Sequence, residues 1–206
     1  MGWAVKYGLT LITAPTAEPL GLDETKRHLR LTANDFDAEI TTLITAARQS
    51  AETETRRALL TQTWDLYRDN WPRGAEPIKL PFGQLQSVTS VNYTDENGSA
   101  QAWGTSNYIV STNREPALIG LAYNVTWPTI RYVADTIRIR FVAGWTAAAS
   151  VPAPIRQAML LMIGHWFEQK TAVNVGNIVN EMPLGAKHLL GQYTLGDEWA
   201  LYGAAC

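Results

Sequence analysis

The sequence of 206 residues contains a single cysteine, Cys206, at its last position. One thiol cannot close a disulfide within the chain, and it cannot supply a metal site built from several cysteines. We therefore expect neither feature. A fold without such links agrees with the reducing interior of a cell.

Long apolar runs and an excess of basic residues are missing as well. No apolar stretch reaches the roughly 18 residues needed to cross a bilayer, and the first residues lack the basic and apolar blocks of a secretion signal. The formal charge is -2 at pH 7, whereas proteins that grip nucleic acid neutralise many phosphates with Lys and Arg. We expect a soluble protein without a membrane anchor or a strong hold on nucleic acid.

Common catalytic motifs are absent too. The sequence has no Gly-rich phosphate loop, no G-x-S-x-G turn and no H-E-x-x-H motif. His165 and Glu168 are three residues apart on a predicted helix and could share a metal ion, but no third ligand has a matching spacing. We interpret the pair as ordinary packing and expect no catalytic residue, no bound metal and no cofactor. A hydrolase that uses His165 and Glu168 is kept as an alternative hypothesis.

The segment from Ser150 to Lys170 predicts a helix that is apolar on nearly every side. Pro152 and Pro154 mark its entrance, because proline fits the first turn of a helix, where the N–H has no partner. The apolar residues beyond them cover more than one stripe, which is typical of a helix enclosed by other elements. We expect neighbouring elements around this helix.

Three further helices are predicted. Asp23 is a suitable N-cap for a helix over about 24–31. Apolar residues at spacings of three and four predict an amphipathic helix over about 36–59. Pro183 opens a last short helix that ends at about 190–193.

The middle of the chain has the residues of strands and turns. The stretch 61–145 is rich in Val, Ile, Thr, Tyr and Trp and is interrupted by Gly and Pro. Apolar and polar residues alternate from Thr136 to Trp145, which predicts a strand with one buried face. Asp95-Glu96-Asn97-Gly98 predicts a hairpin tip, since Asn-Gly readily supplies the two positive φ values of a type I′ turn.

These patterns together predict an α+β fold, namely a helical bundle with an inserted small antiparallel β region. The chain would form a single domain. Its helical part would comprise about 19–60 and 150–193, its β insertion about 61–149, and its C-terminal tail 194–206.

Eight tryptophans are a high number for this length. Tryptophan supplies large, rigid contact area in cores and at protein interfaces, and its ring can also stack on a base or a sugar. The residues alone therefore leave a second function open: a small soluble module that binds a sugar or nucleic acid through its Trp-rich β region.

A series of short motifs runs along the chain between about Pro19 and Tyr193. They include GLDETKRHLRL at 21–31, Arg57–Trp64, Leu80-Pro81, Val142–Trp145, Ile155–Ala158, His165–Glu168 and Pro183–Gly185. In this order they resemble the head-tail connector, or adaptor, family of long-tailed bacteriophages and gene transfer agents.

This resemblance implies a structural virion protein that is not an enzyme. Its copies would form a ring homo-oligomer, dodecameric in the particle, under the portal protein, and would join the portal to a stopper or tail-completion protein. Double-stranded DNA would pass through the channel transiently and without sequence recognition, with no membrane and no cofactor involved. The protein would act in the virion neck after assembly in the host bacterial cytoplasm.

The partner-binding residues are expected in the last helix and the tail, which keep apolar residues up to the end of the chain. The expected contacts with the portal or the next ring are Leu184, Leu189, Leu190, Tyr193, Leu195, Trp199, Leu201 and Tyr202. A tail that orders only on docking would keep free subunits from assembling too early.

Overall fold

The computed structural model describes residues 7–168 and 182–196. In these residues the chain forms four α-helices and eight β-strands. The helices are α1 (Leu22–His28), α2 (Asp37–Thr55), α3 (Ala153–Glu168) and α4 (Leu184–Gly191). The strands are β1 (Tyr7–Thr13), β2 (Gln62–Arg68), β3 (Ile78–Leu80), β4 (Leu85–Thr94), β5 (Ala100–Trp103), β6 (Tyr108–Ser111), β7 (Ala117–Leu121) and β8 (Ile137–Ala143).

The predicted fold class, a helical bundle with an inserted small β region, is wrong. Helix and strand contribute nearly equal shares, 32% and 29%, and the strands build two antiparallel sheets. The β part also includes β1, which precedes the first helix. Two of the four helices, α1 and α4, have only seven and eight residues.

The chain divides into two compact units. The described residues of the first, here called the β unit, fall within Met1–Pro15, Thr61–Gly144 and Leu195–Cys206. Those of the second, the helical unit, fall within Thr16–Leu60 and Trp145–Thr194. The predicted loop 171–182 lies outside the described residues except for Met182, and so does the predicted tail from residue 197 onward.

The β unit contains one five-stranded sheet, in the order β1-β2-β8-β4-β5, and one three-stranded sheet, in the order β3-β7-β6. All strand pairs are antiparallel. The central strand β8 confirms the predicted alternation: Ile137, Ile139, Phe141 and Ala143 are fully buried, whereas the residues between them are exposed or half-buried.

Strand register gives the large sheet two unlike faces. On one face, here called the core face, Leu66 lies opposite Ile139, which lies opposite Val91, and all three are buried. The other face, here called the polar face, places Asp65 opposite Arg140. The alternation of side chains along paired strands separates the two sets.

The predicted hairpin tip is confirmed, but its turn type is different. Strands β4 and β5 pair on either side of Asp95–Gly98, and the Gly98 N–H donates to the Asp95 carbonyl at 2.9 Å. Among the four turn residues only Gly98 has a positive φ, 86°. The turn is therefore a type I turn followed by a left-handed glycine, and the type I′ prediction is wrong.

The helical unit has its own hydrophobic core. Helix α3 runs through it, because Ile155, Ala158, Met159, Met162 and Ile163 are all fully buried. Residues of α2 and α4, together with Leu59 and Leu60, surround α3. The prediction of a helix enclosed by its neighbours is confirmed, with its start just past Pro152.

Two details of the predicted helices differ. Asp23 is not the N-cap of α1, because that helix starts at Leu22, two residues earlier than predicted, and its N-cap, Gly21, makes no side-chain hydrogen bond. Helix α2 ends at Thr55, before the predicted Leu59, since Arg56 adopts a left-handed conformation with φ 56°. Its N–H donates back to the Glu52 carbonyl, which closes the helix.

Candidate assembly surfaces

The predicted partner-binding residues divide by exposure. Leu184, the first residue of α4, is 81% exposed, whereas Leu190 is fully buried in the helical core. Leu189 and Tyr193 are half-buried against that core, and Leu195 is buried in the β unit. Trp199, Leu201 and Tyr202 lie outside the described residues. Leu184 is therefore accessible to a partner, whereas Leu190 contributes to the stability of the fold.

The end of α4 is fixed to the end of α2. The Arg57 guanidinium donates through Nε to the Tyr193 carbonyl at 2.5 Å, and the Thr194 hydroxyl donates to the Glu54 carbonyl at 3.2 Å. These two bonds hold residues 193 and 194 in place. They fix the position from which the following residues leave the helical unit.

Strand β1 forms one edge of the large sheet and exposes apolar side chains. Leu11 and Ile12 are each 43% exposed, although Leu11 lies opposite the buried Trp64 on the core face. This strand is not among those predicted from the sequence. Its local signal was the alternation of Leu9 and Leu11 with Thr10.

The tryptophans of the β unit pack mainly against one another. Trp71 and Trp127 stack with ring centroids 4.8 Å apart, and Trp103 lies 5.4 Å and 5.0 Å from them. Trp103 is only 7% exposed, as is Tyr108, which stacks on it. Binding of a base or sugar by stacking needs a free ring face, and these contacts leave Trp103 none.

The aromatic cluster contains unpaired polar groups. Among the described residues, the indole N–H groups of Trp71 and Trp127 and the Tyr108 hydroxyl are buried without a hydrogen-bond partner. Burial also raises the pKa of Tyr108. An unpaired buried group costs about 1–3 kcal/mol, so the ring contacts must offset this cost.

The polar face of the large sheet carries a buried ion pair. Arg140 donates through Nε and Nη2 to the two carboxylate oxygens of Asp65, each at 2.7 Å. The Asp65 side chain is only 1% exposed. The hydrogen bonds to Asp65, together with its charge, raise the pKa of Arg140. The pair can position strands, and both carboxylate oxygens of Asp65 are occupied by Arg140.

The candidate chemical residues, His165 and Glu168, have no third possible metal ligand grouped with them in the described part of the chain. His165 is half-buried and Glu168 is exposed at the end of α3. Within residues 7–168 and 182–196, no three His, Cys, Asp or Glu side chains are grouped so that they could hold a metal ion. In the same ranges no helix is long and apolar enough to cross a membrane.

Comparison with known proteins gives one family and several related structures. The family model described as Phage gp6-like head-tail connector protein matches residues 20–123. No curated protein is detectably similar to the chain.

Solved structures of gene transfer agent (GTA) particles contain similar chains. A chain in the "Neck of empty GTA particle computed with C6 symmetry" is 22% identical, with a TM-score of 0.73, and the likeness covers 92% of this chain and 96% of that one. A chain in the "Virion of native gene transfer agent (GTA) particle" is 22% identical, with a TM-score of 0.74, over 91% and 95%. A third, in the "Neck of native GTA particle computed with C12 symmetry", is 21% identical, with a TM-score of 0.69, over 92% and 96%. The likeness shows a shared fold across almost the whole chain.

Proposed function

The chain belongs to the Phage gp6-like head-tail connector protein family, and we propose that it is a structural head-tail adaptor in the neck of a phage or gene-transfer-agent particle. The family match, which spans half of the chain, carries this proposal. The shared fold with chains of GTA particles supports it, because that likeness leaves less than a tenth of this chain uncovered. The family resemblance read from the sequence is confirmed.

In this proposal the copies form a ring under the portal protein. Twelve copies would agree with the C12 symmetry in which one of the similar neck structures was computed. Identical weak contacts made at the same time add up to strong attachment when geometry lets all of them engage. The ring would join the portal to a stopper or tail-completion protein. The particle, including this ring, would be assembled in the host bacterial cytoplasm.

The channel of this ring would let double-stranded DNA pass without sequence recognition. A strongly basic protein would retain DNA through its phosphates. The near-neutral charge of this chain, -2 at pH 7, supports passage rather than retention. No cofactor and no catalytic step enter the proposal.

The portal or the next ring would be contacted by α4 and the residues after it. Leu184 is the strongest described candidate, because an apolar side chain that is 81% exposed gains most from being covered. Leu189 and Tyr193 follow Leu184 in the sequence and are half-buried. Leu190 and Leu195, which are buried within this chain, would support the contact indirectly. Trp199, Leu201 and Tyr202 complete the proposed set.

Deletion of the gene from the producing bacterium tests the proposal. We expect DNA-filled heads that lack tails, seen by electron microscopy, and restoration of tailed particles when the gene is supplied in trans. Heads that still acquire tails at the normal frequency would contradict it. Imaging the necks of the restored particles should place the chain next to the portal.

A further inference from the structure

The large sheet of the β unit has two edges that no other strand covers within the described residues. Strand β1 pairs only with β2, and β5 pairs only with β4. An edge strand presents a row of backbone N–H and C=O groups that can bind another strand.

Strand β1 lacks the side chains that usually protect an edge. Proteins commonly place Lys or Pro on exposed edge strands to prevent pairing. The seven residues of β1, YGLTLIT, include neither and carry no charge. A bulge leaves Ile12 without a partner on β2, since Leu11 pairs with Trp64 and Thr13 with Thr63. Gly8–Leu11 is therefore the regular stretch available for pairing.

The two edge strands run in the same direction. Five strands in fully antiparallel order alternate in direction, so the first and the fifth are parallel to each other. A second copy placed in the same orientation beside β5 would thus present its β1 in parallel. Its core face would stay on the same side as that of the first copy.

The β1 edge and the acidic turn between β4 and β5 lie at the same level of the sheet. Tyr7 at the start of β1 lies opposite Arg68 of β2, whose guanidinium sits 4.6 Å from the Tyr7 ring centre. Register through β8 and β4 brings the end of β4, and with it the acidic turn residues Asp95 and Glu96, to that same level. Side-by-side copies would bring the acidic turn of one copy near Tyr7 of the next, and the buried Arg68 lies behind that tyrosine.

We propose that β5 of one copy pairs in parallel with β1 of the next, so that the sheet continues from subunit to subunit around the ring. The inference rests on the proposed function and names the contact that builds the ring. Such a contact joins two unlike surfaces, as a closed ring requires. It would also cover Leu11, which is exposed at the edge of the core face.

Cysteine cross-linking tests the pairing in assembled particles. In a Cys206→Ser background, Thr10→Cys and Ala102→Cys place one thiol on each edge. Both positions are exposed and lie on the polar face, so the substitutions spare the core. A short bifunctional maleimide should give a ladder of covalent oligomers from the double variant and only monomers from either single variant.

The other outcomes overturn the inference. Cross-linked dimers from Thr10→Cys alone would mean that two β1 strands pair with each other. Particles that contain the double variant but give no ladder would refute the pairing and leave the adaptor function intact. Absence of the unsubstituted chain from particles would overturn both the strand pairing and the adaptor function.

A charged edge provides a second measurement. Leu11→Lys should abolish the ladder in the double-cysteine chain, because a lysine at an open strand edge opposes pairing. Ile109→Lys is the matched control, since Ile109 is 61% exposed on β6, an edge of the other sheet. Equal ladders from the two variants would overturn the inference.

Discussion

At the scale of single residues, Asp65 and Arg140 fix the pairing of the central strand β8 with its neighbour β2. They are direct partners in the register of β2 and β8 and form two hydrogen bonds of 2.7 Å. A slip of one residue would move Asp65 to the other face of the sheet. It would also leave a buried carboxylate without its cation, which is strongly unfavourable. The pair therefore specifies one register.

The carboxyl group of Asp95 should titrate below its ordinary value of 3.8, because the Gln101 side chain donates to it at 2.8 Å and the Ser99 N–H also donates. A lowered pKa in the folded state stabilises the fold above 3.8, and this contribution is lost as pH falls through the lowered value. Gln101→Ala should raise the pKa of Asp95, measured by NMR titration. Gln86→Ala, on β4, is the control and should leave it unchanged.

Leu184 and Leu190 should respond in opposite ways to substitution. Leu184→Lys should leave the thermal midpoint unchanged and weaken attachment to the portal in a pull-down, because this side chain is 81% exposed. Leu190→Ala removes a fully buried side chain and should cost about 2–5 kcal/mol in chemical unfolding. A Leu184→Lys chain that binds the portal as well as the unchanged chain would remove Leu184 from the proposed contact.

At the scale of elements, the hairpin between β4 and β5 depends on Gly98. This residue has φ 86°, and a Cβ there would lie 2.6 Å from Nη1 of Arg131. Gly98→Ala should therefore destabilise the protein by about 1 kcal/mol or more, measured by urea unfolding. Gly120→Ala in β7 is the matched control, because no atom lies within 4 Å of its added Cβ and its φ is not positive. Similar losses from both variants would contradict this account.

Local patterns predicted the elements that carry their own signals. Pro152 and Pro154 placed the start of α3 within a few residues, and the alternation in β8 identified a strand with one buried face. The cap of α1 was misplaced, because Asp23 lies in the first turn, where a carboxylate interacts favourably with the helix dipole without capping.

Strand β1 illustrates what local patterns omit. It pairs with β2, whose paired residues come 50 or more positions later in the sequence. Only that pairing decides which side chains of β1 lie on the core face of the sheet. The same limit applies to the candidate site. Leu184 and Leu190 look alike in the sequence, and only the packing of α4 on α2 and α3 buries one and exposes the other.

At the scale of the whole molecule, the predicted fold class was wrong because strands from two parts of the sequence, before α1 and between α2 and α3, combine in one sheet. Four helices were predicted, and four α-helices are present in the described residues, but the β region was predicted to be small and its strand content was underestimated. Period-two patterns of three or four residues, as in β3 and β6, are too short to be distinguished from loops.

The helical unit should fold without the β unit. Its core draws only on residues of Thr16–Leu60 and Trp145–Thr194, and Leu60 and Trp145 are bridged, so the ends left by excision are adjacent. A chain of 16–60 joined to 145–194 by a short Gly-Ser linker should show helical circular dichroism and a cooperative melting transition. Ile155→Asp in that chain should abolish the transition, because Ile155 is fully buried. A non-cooperative melt of the excised chain itself would contradict independent folding.

The enclosed position of α3 has a consequence for translation. This helix is synthesised after α1 and α2, so its first partners have already left the ribosome when its apolar side chains emerge, and domains fold progressively during synthesis. Ala186 and Leu190 of α4 arrive last and are fully buried. A chain terminated after Glu168 would thus lack α4, and the apolar side chains of α3 that α4 buries would be exposed. We expect cellular proteases to degrade such fragments.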